Sequence, residues 1–104
     1  MSAGVTYPHI EKRDAEPARL QRVPRVRVAQ IIMDHLAYGW SAEEICRQHP
    51  YLRPAEIYAA MGYYYDHPDE IEAEIRAEAE QAENARSSPT RSPFYLRMHA
   101  KGIF

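Results

Sequence analysis

The sequence predicts a mainly α fold: a small bundle of three to four helices with a short N-terminal extended or β segment and an irregular C-terminal tail. Three observations predict it. Apolar residues recur at helical spacing through the middle of the chain. Prolines and a helix-capping motif divide that stretch into separate helices. The eight prolines lie mainly near the two ends and at the helix joints, which indicates an ordered middle with looser flanks.

The length and composition indicate one small domain. With 104 residues, of which 45% are hydrophobic, the chain can bury a modest core. We divide it into a basic extended segment over residues 1–25, a bundle over residues 26–85 and a partner-binding tail over residues 86–104. The last boundary rests on a linker that is rich in serine and proline.

The sequence predicts a cytoplasmic protein with no membrane association. No apolar run approaches the roughly 20 residues that span a bilayer. The first residues carry neither the basic region nor the apolar region of a secretory signal. The single cysteine, Cys46, excludes an internal disulfide and is typical of a reducing compartment.

Charge is distributed unevenly, although the net charge is only −2. Residues 1–29 carry six basic and three acidic side chains, whereas residues 41–85 carry three basic and eleven acidic ones. Residues 86–104 carry four basic side chains and no acidic one. Two basic ends therefore flank an acidic middle, and this asymmetry is informative about charged partners.

The N-terminal part is predicted to be extended or a small hairpin. Val26 and Val28 alternate with Arg25 and Arg27, which is the period of a strand with one solvated face. Two prolines in the same region restrict such a strand to a short or edge position.

Four helices are expected after this segment. Gly39 is a natural C-cap of the first, and Ser41 with Glu44 forms a capping box that opens the second. Pro54 and Pro68 are well placed to begin the third and the fourth. The apolar stripes are Val28, Ile31, Ile32 and Leu36 in the first helix, Ile57, Ala60, Met61 and Tyr64 in the third, and Ile71 and Ile75 in the fourth.

Four motifs between residue 26 and about residue 75 carry a resemblance. They are Arg25-Val26-Arg27-Val28, then Gly39-Trp40-Ser41-Ala42-Glu43-Glu44-Ile45, then His49-Pro50-Tyr51-Leu52, and a third helix that contains Tyr63-Tyr64. In this order they resemble a small bacterial family known as domain of unknown function 433 (DUF433). The family usually has Gly-Thr where this chain has Arg22-Val23. Because arginine adopts a left-handed turn less readily than glycine, the usual hairpin geometry is not expected there.

The resemblance implies a fold and a function. The family is similar to helix-turn-helix proteins, so it implies a helix-turn-helix-like bundle. Many members are encoded beside toxins of the PIN-type ribonuclease class, which implies a VapB-type antitoxin of a type II toxin–antitoxin pair. We therefore expect a homodimer with two further partners, a PIN-type ribonuclease toxin and operator DNA.

The best nucleic-acid-binding candidates are basic residues of the N-terminal segment. A short basic ribbon can neutralise phosphates and lie in a groove of DNA. Alternatively, the charges only protect a solvated edge strand from aggregation. The candidates are Arg19, Arg22, Arg25 and Arg27.

The tail is the second candidate site, because it has large apolar side chains and basic groups but too few residues to bury them. Such a segment normally folds onto a partner. Its cations could displace metal from the carboxylates of a nuclease. Alternatively, the tail docks onto the bundle of the same chain or onto a sister subunit. The partner-binding candidates are Phe94, Tyr95, Leu96, Arg97, Met98 and Lys101, with Arg91 as a further cation.

No catalytic constellation is apparent, so we expect a non-enzymatic protein without a cofactor or a metal site. The five histidines lack metal-ligand spacing, and Cys46 is expected to be a small buried hydrophobe. Acidic surroundings favour core or dimer packing over base stacking for the tyrosines of the third helix, namely Tyr58, Tyr63, Tyr64 and Tyr65.

The sequence leaves two alternatives to the antitoxin hypothesis. One is a nucleic-acid-binding regulator without a toxin partner. The other is a structural adaptor whose acidic fourth helix and tail bind a different protein. An adjacent reading frame for a small nuclease would favour the antitoxin hypothesis.

Overall fold

The computed structural model describes residues 7–86 and 90–102, which form five helices and two short strands. The mainly α fold with a short N-terminal β segment is confirmed. The strands are β1 (Ile10–Glu11) and β2 (Arg19–Leu20), and the helices are α1 (Val28–Tyr38), α2 (Ala42–Gln48), α3 (Pro54–Asp66), α4 (Pro68–Asn84) and α5 (Pro93–Ala100). Within the described ranges, no helix combines the length and the apolar character needed to cross a membrane.

The N-terminal segment is a small antiparallel hairpin. Ile10 of β1 lies opposite Leu20 of β2. The chain then turns back, so that the Leu20 amide donates to the Val26 carbonyl at 2.9 Å. Among the described non-glycine residues, His9 and Asp14 have positive φ, and Arg22 does not. The turn therefore forms without placing arginine in the left-handed conformation.

The caps of α1 and α2 follow the sequence motifs. Gly39 ends α1 in the left-handed conformation, with φ of 69°, and its amide donates to the His35 carbonyl. The Ser41 hydroxyl accepts a hydrogen bond from the Glu44 amide at 3.1 Å and begins α2. The Glu44 carboxylate does not complete the capping box, because it accepts from Arg47 instead.

The core is formed by the helical stripes together with the hairpin. Leu20 of β2 is as fully buried as Ile32 of α1 and Ile57 of α3, so the N-terminal segment packs into the same core as the bundle. Leu36, the last residue of the first stripe, was predicted to be part of the core, but it is only half-buried at the edge of the core. Glu56 is the one charged residue that is buried in the described parts of the chain.

The tail departs from the expected irregular structure, because it contains helix α5. Ser92 caps this helix by accepting a hydrogen bond from the Tyr95 amide at 3.1 Å, and Pro93 occupies its first turn. Met98 is completely buried against the bundle. A good N-cap and one apolar anchor thus order a segment whose linker-like composition predicted a coil. Residues 87–89 and 103–104 of the predicted tail lie outside the described residues.

Candidate functional site

Arg22 of the basic ribbon is engaged inside the protein. Its Nε and Nη2 atoms donate to the two carboxylate oxygens of Glu56 at 2.9 and 2.8 Å, and Nη2 also donates to the Tyr51 carbonyl at 2.6 Å. The Glu56 side chain is only 1% exposed, and the Arg22 hydrogen bonds hold its pKa below the usual value. Arg22 therefore ties the segment from β2 to the start of α1 (residues 19–27), which we call the hairpin turn, to the first turn of α3.

Arg27 is engaged in the same way with α4. Its two terminal nitrogens donate to the carboxylates of Glu74 and Glu78, each at 2.6 Å. Burial raises the pKa of Glu74, although the Arg27 hydrogen bond opposes this shift. A phosphate that approached Arg27 would have to compete with two carboxylates already in place.

Arg19 and Arg25 differ from these two. Arg19 donates only long hydrogen bonds of 3.4 Å, to the carbonyls of Pro17 and Pro24. The guanidinium of Arg25 lies 5.1 Å from the centre of the Tyr51 ring. Neither has a carboxylate partner among the described residues. The four candidate nucleic-acid-binding arginines are thus split into two that hold the fold and two that can accept an external anion.

A pocket of about 360 Å³ adjoins Arg25. Buried apolar side chains, such as Ile31 and Ile45, line part of it. Its polar lining has both signs of charge, because Arg25, Asp34 and Glu78 all contribute to it. This mixture gives the pocket no clear ligand chemistry.

We define the arm as residues 90–102, the described part of the tail beyond the linker. Met98 is fully buried, Phe94 and Tyr95 are half-buried, and Leu96 is 55% exposed. Met98, predicted to bind a partner, is therefore a contact within the bundle in this conformation. Arg97 and Lys101, also predicted to bind a partner, are exposed.

The cations of the arm lie on aromatic rings. The guanidinium of Arg97 is 5.1 Å from the centre of the Tyr38 ring, and that of Arg91 is 4.2 Å from the Tyr95 ring. Such cation–π contacts do not neutralise the positive charge, although Arg91 also lies close enough to Glu83 to help lower the pKa of that carboxyl. The arm thus keeps a basic surface while it is docked on the bundle.

Sequence reasoning missed an aromatic pair at the end of α1. Tyr38 and Trp40 flank the C-cap Gly39, and their rings stack with centroids 4.8 Å apart and planes 27° apart. The two ring nitrogens of His35 contact the Trp40 carbonyl at 2.8 Å and the Tyr65 hydroxyl at 3.3 Å. The Tyr-Gly-Trp sequence was the available signal, since aromatics on both sides of a left-handed cap can meet.

The tyrosines of α3 divide between core and surface. Tyr63 and Tyr64 are buried and donate to the Glu70 and Glu72 carboxylates, and burial raises the pKa of both hydroxyls. The predicted core packing is confirmed for these two. Tyr58 and Tyr65 are exposed, by 54% and 65% respectively.

The described residues offer no cluster of three or more side chains suited to a metal ion. Cys46, expected to be buried, is half-buried at the edge of the core. Partial burial raises the pKa of its thiol, which therefore lacks the activation that a nucleophilic cysteine needs.

Comparison with known proteins supports the family resemblance for part of the chain. Residues 22–64 match a family model described as "Protein of unknown function (DUF433)". No curated protein and no solved structure matched. The matched segment includes Arg22, α1, α2 and most of α3, whereas β1, β2, α4 and the arm lie outside it.

Proposed function

We propose that this protein is a VapB-type antitoxin that neutralises a PIN-type ribonuclease toxin through its arm. The observation that carries the proposal is the character of the arm. It has one fully buried anchor, Met98, beside an exposed Leu96 and the exposed cations Arg97 and Lys101. A segment with exposed apolar and basic groups can exchange its contacts with the bundle for a larger set on a partner.

The proposed mechanism uses opposite charge at the toxin's active site. Nucleases of this class hold metal ions with clustered carboxylates, and such carboxylates also attract the cationic side chain of an arginine or a lysine. Leu96 would seat in an apolar pocket, and Arg97 or Lys101 would enter the carboxylate cluster in place of the metal. Arginine suits this role because its planar guanidinium can bind carboxylates in bidentate fashion.

The proposal includes a homodimer that binds operator DNA. An exposed tyrosine such as Tyr65 supplies apolar area for self-association. Arg19 and Arg25 would contact phosphates, because neither is paired with a carboxylate of residues 7–86 or 90–102. Arg22 and Arg27 would hold the hairpin in place instead.

A regulator that binds DNA without any toxin is the second candidate function. Arg19 and Arg25 also favour this function, because both can contact phosphates.

Co-expression tests the antitoxin proposal. The probe is a nuclease encoded by an adjacent reading frame, produced in a host whose growth it arrests. We expect the parent protein to restore growth and the double variant L96A/K101A to fail, because an anchor residue typically contributes 2 kcal/mol or more to binding. Tyr58→Ala is the matched control, since Tyr58 is 54% and Leu96 is 55% exposed.

The arm variant is preferable to a truncation. Removing the whole arm would also remove Met98 from the core and could weaken the fold. Full rescue by L96A/K101A would show that Leu96 and Lys101 do not anchor the arm on the toxin. An adjacent product that does not arrest growth, or that the parent cannot neutralise, would favour the stand-alone regulator.

A further inference from the structure

We propose that Tyr38, Trp40 and the cations of the arm form a binding surface for single-stranded nucleic acid. We call this set the aromatic–cation surface; its members are Tyr38, Trp40, Arg91, Arg97 and Lys101. The inference does not rest on the antitoxin proposal, because Tyr38 and Trp40 belong to the bundle and not to the arm.

The first reason is the exposed aromatic pair. Tyr38 is 51% exposed although its ring stacks on that of Trp40. A lone exposed tyrosine is common, but here a second ring holds the first in place, and a base can stack on Tyr38 when the Arg97 guanidinium moves from the ring to a phosphate. Unpaired bases stack on such an aromatic platform whatever their identity, since every base has a π face.

The second reason is the charge beside the platform. The Arg97 guanidinium lies over the Tyr38 ring at 5.1 Å. The arm also contains Arg91 and Lys101, and residues 90–102 contain no aspartate or glutamate. Alternation of aromatic rings with arginine is the pattern by which single strands are bound, because the rings hold the bases and the cations neutralise the phosphates.

The third reason is that the platform is held in shape. The left-handed Gly39, with φ of 69°, turns the chain between the two aromatic residues. His35 then fixes the turn through the Trp40 carbonyl at 2.8 Å. A surface that is already ordered loses less conformational entropy when it binds.

One carboxylate offsets part of this charge. Glu83 accepts hydrogen bonds from the Ser92 amide at 3.2 Å and lies 3.9 Å from the Arg86 guanidinium. Hydrogen bonding to Ser92 and the charges of Arg86 and Arg91 hold the pKa of Glu83 below its usual value, so the surface depends mainly on Arg97 and Lys101. The surface selects single strands, because bases inside a duplex cannot stack on an external ring.

Fluorescence anisotropy with a labelled 12-nucleotide oligo(dT) or oligo(U) tests the inference at low salt. We expect the parent protein to bind and Tyr38→Ala to weaken binding by about fivefold or more, from the loss of one base–aromatic stack. Arg97→Gln should also weaken it and reduce its salt dependence by about one unit. Tyr58→Ala is the control, since this exposed tyrosine lies beside Glu43 and not beside the arm.

Trp40 packs partly against the core, so Trp40→Phe is the variant that keeps the fold and reduces the stacking area. Circular dichroism verifies that each variant is folded. Three outcomes would overturn the inference: no binding by the parent protein, equal loss from Tyr58→Ala, or binding of the equivalent duplex as tight as that of the single strand. Growth rescue by the Tyr38→Ala variant separates this inference from the antitoxin proposal, since only the former requires Tyr38.

Discussion

The hairpin turn and the arm are both basic, yet they use their charge differently. In the hairpin turn, Arg22 and Arg27 bind carboxylates of α3 and α4 at 2.6 to 2.9 Å. In the arm, Arg91 and Arg97 lie over aromatic rings and Lys101 is exposed. One basic segment is largely a structural clamp, and the other remains available to partners.

The cause of the difference is the surface on which each segment packs. The hairpin turn meets the start of α3 and the acidic helix α4, which carries seven acidic residues and one basic residue. The arm meets α1, whose single acidic residue, Asp34, already hydrogen-bonds His49. A segment's own charge therefore does not reveal its use; the charge of the surface beneath it decides whether its cations are neutralised.

The largest expected effect comes from the Arg22–Glu56 pair. Arg22→Gln leaves a carboxylate that is 1% exposed without its cation, so we expect a loss of about 3 kcal/mol in the free energy of unfolding. Glu56→Gln should cost roughly half as much, near 1.5 kcal/mol, because the half-exposed Arg22 can be hydrated when its partner is neutral. Urea denaturation measures both values.

Arg25→Gln is the control for this comparison and should change the stability by less than about 0.5 kcal/mol. The pH dependence gives a separate readout. Because the pKa of Glu56 is lowered in the folded state, its contribution is complete above the ordinary glutamate pKa of about 4.3 and is lost as the pH falls through the folded value. Glu56→Gln should remove this part of the acid sensitivity. Equal losses from Arg22→Gln and Arg25→Gln would contradict the clamp.

A smaller effect is expected when the arm loses its anchor. Met98→Ala removes a completely buried side chain, which costs about 2–3 kcal/mol in a core site. If the substitution instead lets the arm detach from the bundle, trypsin should cleave faster after Arg91, Arg97 and Lys101. Leu96→Ala, two positions away and 55% exposed, should leave both the stability and the cleavage rate unchanged. Identical behaviour of the two variants would mean that the arm is not held by Met98.

The bundle could be predicted from the sequence because its signals are local. Glycine commonly caps the end of a helix and serine the start of one, as Gly39 and Ser41 do. Ile57 and Ala60 repeat at helical spacing, and both lie on the buried face of α3. Leu36 was predicted to be buried and is half-buried. Apolar spacing indicates which face of a helix points inward, but it does not indicate how far the neighbouring elements cover that face.

The two basic segments could not be resolved from the sequence for the opposite reason. The carboxylate partner of Arg22 is 34 positions away, and the two partners of Arg27 are 47 and 51 positions away. No pattern in the neighbouring sequence can therefore predict these ion pairs. Helix α5 was missed because it has only eight residues, of which Met98 is fully buried and Phe94 packs partly against the core, so its apolar pattern is short. The Tyr38–Trp40 stack is local, but spacing in the sequence does not show that rings on either side of a glycine meet; that depends on the left-handed conformation of Gly39.

The smallest expected effect is on DNA binding. It shows whether Arg19 and Arg25 are available to an external partner, like the cations of the arm, or serve the fold, like Arg22 and Arg27. The double variant R19Q/R25Q should weaken binding of a duplex from the chain's own upstream region, measured by anisotropy across a salt series. Each lost phosphate contact lowers the slope of log affinity against log salt by about 0.9, so a decrease of roughly two units is expected. The matched control is R13Q/R47Q, which removes the same charge from exposed arginines that pair with Glu11 and Glu44. If both double variants reduce the slope equally, only net charge matters, and the hairpin turn has no DNA surface of its own. A decrease confined to R19Q/R25Q would assign these two arginines to a partner and leave Arg22 and Arg27 to the fold.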